Sequence, residues 1–513
     1  MNKRLTLIFL MCVGFTFYAQ QDASIIPVDI QMSEVFKDDK RFTELSFSTE
    51  DNNGGIFIGR HYKDGCYIEH YDSNAKLIKN HDFELDNSKS NIHGGFLSGD
   101  DFCLLESTIN KETKSLEYYV YKSPKNEFNF KKELLFSIPL KEVKKNMFSF
   151  GFFSGSSDND ILGAYEISRN KKFIAFTVDI KNADSETHRL FVFDNALNKV
   201  YETEFTRDLK DRKFILQNID IDENDGTVYL LGKAFSREKK KKKDGGKYQF
   251  ELFKINANSQ NSLVFDSEEN YVGSLTTVIN QGKLFCIGFY SEKNDFRYKG
   301  LAYFDVDSKN MTLNNSVYSS FTEQFMFDKY GKDKEKELRN ISFKNIFVTE
   351  NNECIVNAEE FFIRSHYVAT QYGGYWYYTY HFNDMISAKV GVNGDLQWAR
   401  NINKKQSSDH YSSYLSYAST YYEGKTYLFL NGSDKIRKLR KDRLQFKDVR
   451  QRKSNLYVIT LDQNGDFEYM KILDDKDSEV PFAVGNGIIS ANGKELTFQG
   501  RKGRKKQIMK ISL

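Results

Sequence analysis

Glu359 and Glu360 are the first residues in this chain whose types and spacing could do chemistry, as a general acid or base. If they sit on a strand, neighbouring side chains point to opposite faces, so at most one of them enters a given cleft. The histidines offer less. His61, His70, His81 and His93 lie early in the chain without ligand spacing, and His366, His381 and His410 are scattered through later segments. Asp222-Glu223-Asn224-Asp225-Gly226 and Asp462-Gln463-Asn464-Gly465-Asp466 look like calcium loops. Neither carries Gly at the sixth position with Glu at the twelfth, so both read as turns. There is no His-Glu-x-x-His, Gly-x-Ser-x-Gly, Gly-rich phosphate loop or Cys-x-x-Cys. The reading therefore leans away from an enzyme and assigns no catalytic residue, metal ligand or cofactor.

Two segments have the chemistry of binding instead. Tyr372-Gly373-Gly374-Tyr375-Trp376-Tyr377-Tyr378-Thr379-Tyr380 is dense in aromatics that could stack on sugar rings or cover a partner's apolar patch. The alternative is a twisted hairpin that packs these rings on its own sheet. A second segment, from Lys435 to Lys453, is strongly basic with Leu439, Leu444, Phe446 and Val449 interspersed. It suits an acidic protein or an anionic lipid head group. The candidate partner-binding residues are thus Tyr372, Tyr375, Trp376, Tyr377 and Tyr378, with Arg437, Lys438, Arg440, Lys441 and Arg443. Lys239 to Lys243, five lysines in a row, read as a solvated loop tip. Three functions stay open: a protein-docking scaffold, which leads; a glycan binder or glycosidase; and a binder of anionic lipid or lipopolysaccharide.

The elements that must position these residues are strands. Phe 44 and Tyr 31 against Pro 4 and Trp 2 is strand-rich composition. A Gly-, Asn-, Asp- or Lys-rich turn followed by an aromatic-led apolar strand recurs, as at Gly99 to Leu105, Gly226 to Gly232, Gly282 to Gly288 and Gly424 to Phe429. Weaker copies place Phe57, Phe173, Glu353 and Leu496 at the same position, making eight. Each copy precedes a second alternating strand and a further short one, so with the strand before the turn each unit has four antiparallel strands. The predicted fold is an all-β, single β-propeller of eight blades, with seven the alternative, spanning 22–513. The last copy lacks a fourth strand, and Ser24 to Ile30 is a spare one that is expected to complete it and close the ring. Insertions at 139–160, 236–247, 319–340, 364–381, 404–413 and 432–454 all fall on connections that project from one face, with the aromatic and basic hairpins side by side.

Lys3 and Arg4, an apolar run from Leu5 to Phe17, and Ala19 read as a signal peptide cleaved after residue 19. Cys103, Cys286 and Cys354 share one strand position in different units, so no disulfide is expected. Lys plus Arg total 74 against 71 for Asp plus Glu, which argues against wholesale nucleic-acid binding. No later apolar stretch is long enough to span a bilayer. Asn340 to Ile346, Asn357-Ala358-Glu359-Glu360, Gly394-Asp395-Leu396-Gln397-Trp398 and Lys404-Lys405-Gln406 resemble uncharacterised exported proteins of the Bacteroidota. The resemblance covers roughly 320 to 470 and implies no activity or catalytic residue. With no sorting domain and no lipobox, it implies a periplasmic protein, extracellular being the alternative. The leading docking reading makes the chain itself a periplasmic-side subunit of an outer-membrane assembly, with that complex as its protein partner.

Overall fold

The computed structural model describes residues 26–513 apart from 41, 52, 87–89, 145–163, 183, 210–212, 236–247, 266–269, 293–295, 334–335, 371–372, 449 and 491. The side chains of 368–375 also fall outside the description. The segment 1–19, Ser24 and Ile25, Tyr372, the side chain of Tyr375, the lysine run 239–243 and most of the 139–160 insertion therefore lie outside the described residues.

The chain is all-β, built from successive antiparallel sheets. Among the described residues there are eight, in chain order at 44–84, 91–139, 164–207, 214–265, 271–320, 341–408, 417–473 and 488–512. The eight recurring turns of the sequence each lead into the second strand of one sheet, at Ile56, Asp101, Phe173, Val228, Lys283, Cys354, Lys425 and Glu495. At Gln281-Gly282 (φ 49 and 80) and Glu423-Gly424 (φ 45 and 78) both central residues are left-handed. That geometry matches the twist of the flanking strands, and glycine adopts it without a Cβ clash.

Why the sequence alternates in some strands and not others follows from packing. The strand Asn455–Leu461 is buried throughout, whereas Leu77–Glu84, the last of its sheet, is mostly exposed. Inner strands are covered on both faces by neighbouring sheets, so they read as continuous apolar runs. Seven core clusters lie between sheets consecutive in the chain, and an eighth lies between the first sheet and the last. Cys66 and Ile68 of the first sheet pack with Phe102 and Leu104 of the second. Leu45, Ile56 and Ile58 of the first pack with Ile508 of the last. Each such side chain, fully buried, contributes about 1.5–3 kcal/mol. Cys66, Cys103, Cys286 and Cys354 are buried free thiols in these layers, and burial pushes each up to about 12.

At the amino-terminal end, Asp29–Met32 pairs antiparallel with the strand Lys505–Ser512, Asp29 facing Ser512 and Met32 facing Met509. The pairing starts at Asp29, a few residues later than the sequence pattern suggested. Ile26 is buried in the cluster that joins the last two sheets.

The sixth sheet departs from the others. Its second and third strands, Cys354–Thr370 and Gly373–Val390, run on as one continuous hairpin, paired out to Thr370 and Gly373. Its fourth strand, Leu396–Ser408, is paired in parallel by Leu444–Lys447, which in turn pairs with Arg437–Lys438. The sheet thus has six strands. The 319–340 insertion holds the α-helix Glu323–Tyr330, which the sequence reading did not anticipate. Thr322 Oγ1 caps its start by accepting from Phe325 N, and Gly331 (φ 71) ends it in the left-handed region. Among the described residues no helix is long and apolar enough to cross a membrane.

Candidate interaction surface

Six large apolar side chains on or beside the sixth-sheet hairpin are exposed: Ile363, Tyr367, Trp376, Tyr377, Tyr378 and Tyr411. Fifteen are exposed among all the described residues, so this hairpin is where exposed apolar surface concentrates. The pleat sorts them. Cross-strand pairs Ile363 with Tyr380, Ser365 with Tyr378 and Tyr367 with Trp376 share one face, on which Tyr411 packs edge-on to Tyr380. The other face carries Phe362 stacked on His381 and His366 stacked on Tyr377. The rings stack in pairs across the two strands and leave the arm's surface to solvent.

The base of the arm is held by buried charge. Lys404 is wholly buried, and its Nζ donates to Glu359 Oε1 (2.6 Å), the Phe382 carbonyl (2.9 Å) and Gln406 Oε1 (3.1 Å). Burial lowers its pKa, against the pull of Glu359. Ser416 Oγ, immediately before the next sheet's first strand, donates to Glu359 Oε2 at 2.6 Å, and Gln406 Nε2 donates to the Asn431 carbonyl at 2.8 Å. Glu360 turns the other way. It and Asp384 accept from Lys329 Nζ at 3.0 and 2.6 Å, where burial alone would lower the lysine's pKa but the two carboxylates hold it up. So both glutamates are engaged as structural counter-ions, on different sides.

The helix Glu323–Tyr330 is clamped across the strand Leu396–Ser408. Arg400 Nε donates to Asp328 Oδ2 at 2.6 Å, and Asn403 Nδ2 donates to the Asp328 carbonyl at 2.9 Å. The basic hairpin reaches the same helix: Arg443 Nη1 donates to the Lys329 carbonyl at 2.8 Å, and Lys441 Nζ lies 5.3 Å from the centre of the Phe327 ring. A cation there complements the helix's carboxyl-terminal dipole. Of the basic candidates, Arg443 and Lys441 therefore bind the helix. Arg437, Lys438 and Arg440 are exposed, with no ion pair among the described residues. The aromatic and basic segments lie in one sheet, separated by the strand Leu396–Ser408.

Beside the helix is a cleft of about 370 Å³ lined by Arg297, Lys329, Lys336 and Arg339, with Glu337, Glu360 and the apolar Ile341 and Ile386. Sequence reasoning missed it, because Arg297 comes from a distant loop and Lys329, Lys336 and Arg339 meet it only after the helix and the sheets pack together. It also passed over Asp179, Glu186 and His188, three buried residues whose ligand-type atoms lie within 4.8 Å of one another. Glu186 and His188 sit two apart on one strand, which was the available clue. Each carboxylate there already faces a protein nitrogen: Asp179 faces Lys144 Nζ at 2.9 Å, and Glu186 faces His188 Nε2 at 2.8 Å.

No family model matches the chain, and no curated protein does. Among solved structures, it is similar to the β-propeller domain of the Trilobed protease from Pyrococcus furiosus (11% identity, 86% of this chain and 98% of that one, TM-score 0.37). Dipeptidyl peptidase 4 of Porphyromonas gingivalis matches at 9% identity and TM-score 0.43 over 90% of this chain. The aligned part is 56% of the peptidase, so this chain corresponds to about half of it. Chaetomium thermophilum Sqt1, bound to the N-terminus of a ribosomal protein, matches at 10% identity and TM-score 0.40, over 91% of this chain and 96% of that one. At such scores the likeness carries no argument of its own.

Proposed function

We propose that this chain is a single β-propeller of eight four-stranded blades, closed where Asp29–Met32 completes the last sheet, and that it serves as an exported, non-enzymatic docking module. Support for the ring comes from core clusters that join each sheet to the next and the last to the first. Support for docking comes from one observation above the rest: an arm fixed at its base by buried ion pairs presents exposed aromatic rings. Rigid aromatics on a preorganised support make good anchors, since little rotamer entropy is lost when a partner covers them.

Export to the periplasm rests on the basic-apolar segment ending at Ala19. A place for this chain as the periplasmic-side subunit of an outer-membrane assembly is consistent with that location. Glycoside hydrolysis is the weaker reading, since Glu359 is locked to Lys404 and Ser416, and the two carboxylates at the cleft, Glu337 and Glu360, are paired with Arg297 and Lys329. Lipid binding by the basic hairpin keeps Arg437, Lys438 and Arg440 but loses Arg443 to the helix.

Affinity purification of the tagged protein from its native host tests the proposal. A stoichiometric protein partner that is retained by the wild type and lost from a Trp376→Ser, Tyr378→Ser variant supports it. Recovery of the chain alone, or equal retention by both, contradicts it.

A further inference from the structure

Among the described residues, the strand Cys354–Thr370 has a neighbour on one side only beyond residue 360. The strand Ile341–Val348 covers it as far as the Ile341–Glu360 rung, and there the chain turns away at Asn340 (φ 59). The last contact on that side is Phe361 N donating to the Asn340 carbonyl at 2.8 Å. Residues in an antiparallel strand direct both backbone groups to one side and alternate, so the N–H and C=O of Ile363, Ser365 and Tyr367 point away from the hairpin partner. The last described pair of the hairpin, Thr370 opposite Gly373, gives the same phase. Ile363, Arg364, Ser365 and Tyr367 are all exposed. No Pro, bulge or covering loop protects this stretch among the described residues, although sheet edges are ordinarily guarded.

This edge runs straight into the basic cleft. Arg339 immediately precedes the Asn340 turn, and Lys336 lies with its Nζ 4.5 Å from the Tyr330 ring centre. Both are exposed cations, and neither has an ion pair among the described residues. A strand added collinear with Ile341–Val348 would run antiparallel to Cys354–Thr370, and its carboxyl end would meet Lys336 and Arg339. A second copy of this chain pairing through the same edge suits the site less well, because residues 361–370 carry no Asp or Glu to offset Arg364 and the cleft cations.

We propose that the partner is held by β-augmentation: an extended peptide segment pairs with the free edge at Ile363, Ser365 and Tyr367, with an acidic residue at its carboxyl end in the cleft beside Lys336 and Arg339. This rests on the docking role of the arm and specifies what docks. The edge gives main-chain hydrogen bonds, Ile363 and Tyr367 give apolar contact on one face, and the cleft fixes direction.

The test uses a phage-displayed library of random octapeptides panned on the full chain. Enriched peptides should alternate apolar residues and end in Asp or Glu. A synthetic copy of the best should lose binding on the order of tenfold or more with Ser365→Pro, which removes one outward N–H and blocks strand addition. Lys336→Glu with Arg339→Glu should also weaken it, while Ser365→Ala should not. Proline is tolerated where the N–H faces outward, and methylating alternate peptide nitrogens gives the same test without altering the protein. No enrichment, or binding indifferent to both proline and N-methylation, overturns the inference. A chain dimer that Ser365→Pro dissociates overturns it in favour of self-pairing. If the native partner depends on Trp376 and Tyr378 but not on Ser365→Pro, this inference fails alone and the docking role stands.

Discussion

Lys404 Nζ lies 2.6 Å from Glu359 Oε1, and neither side chain is more than a few per cent exposed. The pair joins the second and fourth strands of the sixth sheet through the third, while Ser416 brings in the seventh sheet. A buried ion pair rarely adds much net stability over apolar packing, but breaking it leaves a stranded charge. It therefore fixes one position for the arm at the site where the arm leaves the core.

Lys404→Met should consequently cost about 3–5 kcal/mol, because Glu359 is left buried and unpaired. Adding Glu359→Leu should restore most of the loss. Chemical denaturation of the two variants checks this, and equal destabilisation by single and double variants would contradict it.

Trp376→Ser and Tyr378→Ser should change folding stability by no more than about 0.5 kcal/mol each, since both rings are exposed and nothing collapses around them. A larger loss in thermal denaturation would mean the rings support the fold.

Arg443→Ala should cost about 1 kcal/mol through lost charge-assisted bonds to the helix end. Amide exchange should quicken at Leu444–Lys447, the strand it anchors. Exchange unchanged there would show that the basic hairpin is held without the helix.

The acidic side chains of Glu166 and Asp220 give a pH dependence. Burial first, then the Asp220 charge, raises Glu166 to about 8 against the pull of Arg169; burial raises Asp220 to about 6. A carboxyl whose folded pKa is raised stabilises the fold fully below its unfolded value and loses that contribution as pH climbs through the folded one. Stability should thus fall between about pH 4.5 and 8, and Glu166→Gln should flatten the decline. A curve of midpoint against pH that is identical for the two proteins would rule this out.

Much of the fold was legible because each sheet repeats the same local instructions. A turn that tolerates positive φ, such as Gln281-Gly282, precedes a strand buried on both faces, and this combination recurs at every second strand. Ser24 to Ile30 read as a spare strand through its alternation, though which of its residues pair depends on register against Met509 to Ser512, a contact between distant parts of the chain. The helix Glu323–Tyr330 was missed because its amphipathic pattern is weak and its stability comes from Arg400 and Arg443, both far away in sequence. Sequence composition singled out the aromatic and basic segments. It could not tell Arg443, spent on a helix terminus, from Arg437, left in solvent. Nor could it assemble the cleft, since Arg297, Lys329 and Arg339 converge only after the sheets stack.

Removing residues 26–37 should lower the melting temperature and unpair Lys505–Ser512, exposing an edge that the amino-terminal strand now covers. An unmoved transition in calorimetry would show that the fold does not depend on that strand.

The central claim, that the arm of the sixth sheet is where a protein partner seats, is tested most directly by a photo-reactive phenylalanine analogue placed at Trp376 and, separately, at the exposed Val200, then irradiated in the native host. The account predicts one discrete protein adduct from position 376 and none from 200. No adduct at 376, or the same products at both positions, would contradict it.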